Sequence, residues 1–148
     1  MKQLFAYLLL FCFLWSCTSA QRTSKAPSDS SQLSGDWWLL PVLPSDTVTG
    51  HLPKIHFDLD KQKFNGFTGC NQMSGSFRIA ADGISFDKNI ITTRMACEGY
   101  NEKDFIANLL RTTRYEIKNG ILVFLIDKTP VSKWVRKTNV ETVALRKY

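Results

Sequence analysis

Histidine is scarce in this chain. Two occur in 148 residues, His51 and His56, beside four cysteines, and there is no Cys-x-x-Cys pair and no His-x-x-x-His spacing. A structural zinc site needs four nitrogen or sulfur ligands, commonly in close pairs. Beyond the first 17 residues, His51, His56, Cys70 and Cys97 are the whole supply, so their spacing argues against zinc. The glycine-rich stretch Gly66–Gly75 (GFTGCNQMSG) lacks the Lys-Ser/Thr and helix that would make it a phosphate cradle. An apolar run of about 20 residues, the length that spans a bilayer as a helix, is also missing. No internal repeat is visible.

The sequence does contain a short apolar leader. Lys2 precedes the uncharged run Leu4 to Trp15, the pattern of a secretory signal. The run stops at Leu14-Trp15-Ser16-Cys17, which resembles a bacterial lipobox. That resemblance implies removal of residues 1–16 and acylation of Cys17. Several acyl chains, at ~0.8 kcal/mol per buried CH₂, give a stable anchor where one would be marginal. The alternative is an ordinary signal cleaved after Ala20. Residues 17–34 carry six serines and little to bury, and read as a flexible tether reaching roughly 20–25 Å. Residues 35–148 are enough for one domain with a core. Thr18 stands where an aspartate commonly retains lipoproteins at the inner membrane, so the expected address is the outer membrane of a bacterial envelope.

The net charge of +6 is concentrated at the end of the chain, where residues 111–148 hold nine basic and three acidic side chains. An envelope protein rarely meets nucleic acid, so none is expected as a partner. The cations read as solvated outward strand positions, with attraction to an anionic lipid surface as the other reading.

With Cys12 in the leader and Cys17 lipidated, Cys70 and Cys97 remain. An even pair in an exported chain is most simply a disulfide. Closing that loop is worth about 3.5 kcal/mol in the loop-entropy model. A catalytic cysteine would need a base within reach. His56 is the candidate, but Lys54 to Asp60 alternates polar with apolar, so His56 faces out while Ile55, Phe57 and Leu59 face in. The glycines then permit a tight bend or bulge beside the crosslink.

Strands are expected at 35–40, 54–60, 63–68, 76–79, 84–87, 115–118, 121–126, 132–137 and 141–146. Asp82-Gly83 and Asn119-Gly120 mark hairpins. The run Ile121–Ile126 (ILVFLI) is apolar on both faces and reads as a central, doubly buried strand. One helix is expected over Glu102–Arg114, with Asn101 as N-cap, Glu102 and Asp104 in the first turn, and Arg111 and Arg114 in the last. Its stripe is Phe105, Ile106, Leu109, Leu110 and Thr113. The predicted fold is mainly β (α+β): a small, strongly curved antiparallel sheet or partly closed barrel of about eight strands with one packed helix.

The chain resembles the META domain (HslJ-like) family. The resemblance rests on Trp38, on Phe64–Gly75 (FNGFTGCNQMSG), on Thr93–Cys97 (TRMAC), on the helix and on the Asn119-Gly120 hairpin. It implies a β-rich fold with one helix in an envelope setting, often with a lipid anchor or a heat-shock link. It brings no catalytic residues and no cofactor. Thr92, Thr93 and Arg94 read as orienting the approach to the disulfide, with Arg94 pairing a carboxylate such as Glu98. The expected function is a non-enzymatic, lipid-anchored envelope protein with an interaction or stress-protective role. The alternative is a carrier of a small apolar molecule or lipid, with Phe57, Phe64, Phe77, Phe86 and Phe124 lining a cavity.

Overall fold

A computed structural model of the protein describes residues 30–41, 50–80 and 83–137. The leader, Cys17 and the expected strand at 141–146 lie outside the described residues.

The chain enters through a 3-10 turn, Ser30–Leu33, whose Leu33 is fully buried. These four residues belong to the packed fold, although the composition assigns them to the tether. Nine strands follow among the described residues: β1 (Gly35–Leu39), β2 (Lys54–Asp58), β3 (Lys63–Phe67), β4 (Gln72–Ala80), β5 (Gly83–Phe86), β6 (Ile91–Thr92), β7 (Arg114–Lys118), β8 (Ile121–Ile126) and β9 (Thr129–Val135). All pairings are antiparallel, in the order β5-β4-β3-β2-β1-β9-β8-β7, with β6 added to β4. The helix α1, Glu102–Arg111, lies between β6 and β7 in sequence.

The sheet curls but does not close. Its two end strands meet where the Ile84 N–H donates to the Thr113 carbonyl at 3.1 Å, and among the described residues no ladder forms between them. Of the two expected forms, the curled sheet is therefore the one found.

Alternation places the core. Trp37, Ile55, Phe57, Phe64, Phe77, Leu122, Phe124 and Trp134 point into the curl and are almost fully buried. The five phenylalanines that the carrier alternative would set around a cavity fill this core. Phe57 packs edge-on to Phe77 at 5.0 Å between centroids, and Phe86 edge-on to Phe64 at 5.4 Å and Phe124 at 5.8 Å, the favoured aromatic geometry. The run Ile121–Ile126 is not doubly buried: Leu122 and Phe124 are enclosed, while Ile121, Val123 and Leu125 are half-buried on the other face.

The Asn119-Gly120 turn forms as its residues suggest, whereas Asp82 of the expected Asp82-Gly83 turn lies outside the described residues and Gly83 already opens β5. Asn119 and Gly120 both take positive φ (53° and 75°), as a two-residue type I′ hairpin requires. Between β2 and β3, the Asp58 carboxylate accepts the Lys61 N–H at 3.0 Å and the Lys61 ammonium at 2.9 Å. The side-chain bond from Lys61 holds the Asp58 carboxyl below its ordinary range.

The helix is shorter than its periodicity suggests. The Asn101 side chain accepts the Asp104 N–H at 3.2 Å at the start. At the end, Thr112 turns extended and its hydroxyl donates to the Asn108 carbonyl at 3.0 Å. Thr113 is then taken by the sheet, donating its N–H to Leu125 and accepting from Ile84. Arg114 therefore opens β7, and Arg111 alone remains in the last helical turn. Phe105, Ile106, Leu109 and Leu110 pack on the core as the stripe predicts.

Candidate functional site

The segment Phe67–Asn71 is where the sequence placed its chemistry. Cys70 and Cys97 are bonded, with Cα atoms 6.0 Å apart, joining the end of β3 to the loop before α1. Cys70 is buried, at 3% exposure. His56, the only base proposed for it, sits on the outer face of the sheet. There its Nδ1 lies 2.8 Å from Asp36 Oδ1.

The glycines near the crosslink act in two ways rather than the one expected. Gly69 takes φ +107° and makes the bend. Gly66 and Gly75 lie inside regular strands and make room: a Cβ on Gly66 would stand 2.1 Å from the Lys54 carbonyl oxygen, and one on Gly75 would stand 2.7 Å from the Phe64 ring.

The residue that organises the site is Asn71, which is 1% exposed. Its Oδ1 accepts the Met95 N–H at 2.7 Å and the Thr93 hydroxyl at 2.8 Å. Its Nδ2 donates to the Met95 carbonyl at 3.1 Å and to Glu102 Oε2 at 2.9 Å. The other oxygen of Glu102 accepts from the Thr68 hydroxyl. That same Thr68 oxygen accepts the Asn71 N–H at 2.9 Å and the Cys70 N–H at 3.2 Å. The Tyr100 hydroxyl donates to the Thr68 carbonyl. Thr93 completes the set, its hydroxyl oxygen accepting the Gln72 N–H at 3.1 Å and its N–H donating to the Gln72 carbonyl at 3.1 Å.

This arrangement is a lock. Among the described residues, no buried side-chain nitrogen or oxygen lacks a partner. A network in which every member is paired rigidifies its surroundings. It fixes the loop 93–101 to the sheet and the helix start to both. The sequence reading placed Thr93 correctly as a residue that orients the approach to the disulfide. The expected pairing of Arg94 with Glu98 does not form among the described residues, where both side chains are exposed. Asn71 and Glu102 were missed as partners. The available signals are an asparagine directly after the half-cystine and an acid at the first helical position, which local pattern assigns to the helix dipole alone.

A second lock holds the chain entry. Arg136 donates to the carbonyls of Gln32 (2.8 Å), Ser34 (2.7 Å) and Asp36 (2.9 Å), and its guanidinium stacks 3.8 Å over the Trp37 ring. Burial pushes the Arg136 guanidinium below its ordinary range. Trp37 Nε1 also donates to the Leu33 carbonyl at 2.8 Å.

Beside the first lock runs a groove of about 590 Å³ between α1 and strands β1 and β9. Leu40, Phe105, Val131 and Trp134 give it apolar walls, and Asp104 and Asn108 add polar groups from the helix.

The sequence model of the META domain matches residues 31–138. The chain belongs to the META domain family. None of the curated proteins matches it. The fold is similar to an NMR structure of a protein from Burkholderia xenovorans, with TM-score 0.57 and 22% identity over 74% of this chain and 87% of that one. It is also similar to a crystal structure of a DUF4847 family protein from Bacteroides vulgatus ATCC 8482, with TM-score 0.52 and 13% identity over 69% and 92%. A further NMR structure gives TM-score 0.54 at 20% identity over 71% and 92%. At these identities the likeness is one of fold. META-domain residues 64–75 and 93–97 are thus the two halves of the lock, the first supplying Thr68, Cys70 and Asn71, the second Thr93, Met95 and Cys97.

Proposed function

We propose that this META-domain protein is a non-enzymatic component of the bacterial envelope, anchored by acyl chains on Cys17, with an interaction or stress-protective role. The observation that carries the reading is the use to which the motif residues are put. Asn71, Thr68, Glu102 and Thr93 spend their hydrogen-bonding capacity on each other and on backbone, and Cys70 spends its thiol on Cys97. A nucleophile with its base is therefore not what the motif builds. The leader, the Cys17 lipobox and the serine-rich tether support the envelope address. A strain lacking the gene tests the role. The expected result is weakened envelope integrity or drug tolerance, restored by the wild-type chain and not by Cys17→Ser. An unchanged deletion strain would contradict it.

The groove between α1 and β9 favours a second reading, a carrier of a small apolar molecule. Its apolar walls with a few polar groups are the usual make-up of a ligand site. Native mass spectrometry of protein extracted gently from its envelope tests this. A stoichiometric adduct lost on Val131→Trp, which fills the groove, supports the carrier; a bare chain refutes it.

A further inference from the structure

Six strands place one residue each in a single line across the outer face of the sheet. Phe67, Lys54, Trp38, Val135, Ile121 and Lys118 are successive cross-strand partners. Cross-strand partners share a face, and this face points away from the core. The solvated face of an antiparallel sheet is ordinarily polar. Here Phe67, Trp38 and Ile121 are half-buried apolar side chains in a row, and Val135 between them is closed off from solvent. The next two rows place Val123 between Lys133 and Glu116, and Leu125 between Pro130 and Arg114. A shallow hollow of about 470 Å³, lined by Trp38, His51, Lys54 and Phe67, opens on the same face.

The charges on this face are unbalanced. Asp36 is engaged by His56, Asp58 by Lys61 and Glu116 by Lys118, at 2.8–2.9 Å. Lys54, Lys133 and Arg114 are exposed and, among the described residues, have no ion pair. We infer that this face docks the domain on an anionic phospholipid bilayer, with Trp38 at the water–lipid boundary and Lys54 and Lys133 against the lipid phosphates. Tryptophan favours that boundary because its ring is apolar and its N–H polar. Lysines near an anionic surface are drawn to it. A protein partner fits less well, since lysine is depleted at protein interfaces where arginine and tyrosine are enriched. The envelope reading supplies the setting, and the docking is a property of the domain itself.

The test uses the chain from residue 17 with Cys17→Ser, so that no acyl chain contributes, mixed with vesicles containing brominated lipid. Of its three tryptophans, Trp37 and Trp134 are each 1% exposed, so contact quenching reports Trp38. Expected is quenching in vesicles rich in phosphatidylglycerol and its loss in 1 M salt, where the screening length is about 3 Å. The quenched component should vanish in Trp38→Phe while the protein still floats with the vesicles. Each of Lys54→Glu and Lys133→Glu should weaken partitioning by about fivefold or more, with the melting temperature unchanged. No quenching in anionic vesicles, or equal quenching in neutral ones, overturns the docking and leaves the face to a protein partner. If the acylated chain floats with vesicles while Trp38 stays unquenched, the anchor stands and the docking falls. If the Cys17→Ser chain is quenched, the docking stands whatever becomes of the anchor.

Discussion

The side chain of Asn71 meets the backbone of Met95 as a neighbouring strand would. Oδ1 accepts the Met95 N–H at 2.7 Å, and Nδ2 donates to the Met95 carbonyl at 3.1 Å. One amide thereby substitutes for a strand partner and holds a loop that has none. Asn71→Asp replaces the donor with an oxygen facing both the Met95 carbonyl and the Glu102 carboxylate. Unpaired buried acceptors cost about 1–3 kcal/mol each, and a buried unpaired charge about 3–5 kcal/mol. We expect urea unfolding to show a loss of about 3 kcal/mol or more. A loss under 1 kcal/mol would mean the bidentate contact contributes little.

The disulfide and the amide hold the same loop two residues apart. Replacing Cys70 and Cys97 with alanine should lower stability by about 2–4 kcal/mol. The Met95 amide should nonetheless stay protected from hydrogen exchange, because Asn71 holds it independently. Exchange measured by mass spectrometry on the double variant checks this, and rapid exchange at Met95 would show that the crosslink alone secures the loop.

Gly66 is tested by a methyl group. Its added Cβ would stand 2.1 Å from the Lys54 carbonyl oxygen, which is backbone in a paired strand and cannot step aside. Gly66→Ala should cost about 3 kcal/mol or more, as overpacking against rigid neighbours does. Gly50→Ala meets nothing within 4 Å and only a φ of +72°, so it should cost about 1–2 kcal/mol. Thermal melts of the two variants decide the order, and equal losses would contradict the steric account.

Arg136→Lys should fail to replace arginine. One ammonium cannot donate in the fixed fork that reaches the Gln32, Ser34 and Asp36 carbonyls while stacking on Trp37. The expected effect is release of the Ser30–Leu33 turn, seen as faster proteolysis on the N-terminal side of Gly35 and a stability loss of about 1–3 kcal/mol. Unchanged proteolysis would show that the burial of Leu33 holds the turn without the arginine.

What could be read in advance follows from where the signal lay. Alternation at Lys54–Asp58 and the Asn119-Gly120 turn each state their structure locally, and both were legible. The first half of β4 was not. Gln72–Gly75 has one apolar side chain, Met73, and no clear alternation, and it becomes strand because Gly75 pairs with Phe64 and Ser74 with Asn65. β6 is two residues long and exists through its pairing with Met73 and Ser74. The helix end was misplaced for a similar reason. Thr113 and Arg114 fit a helical stripe, but Ile84 and Leu125 claim the Thr113 backbone. The cysteine pair was legible from its even number and from the export that the leader leads one to expect. The roles of Asn71 and Glu102 were not, because they depend on a contact across 31 positions that no local pattern encodes.

The most direct test of the account is the intact mass of the chain taken from its own envelope under non-reducing conditions. The predicted product begins at Cys17, carries a diacylglyceryl group on sulfur and an acyl group on nitrogen, and is two hydrogens lighter than the reduced chain owing to the Cys70–Cys97 bond. A chain that begins elsewhere without lipid would contradict the anchor. Two alkylatable thiols at Cys70 and Cys97 would contradict the lock.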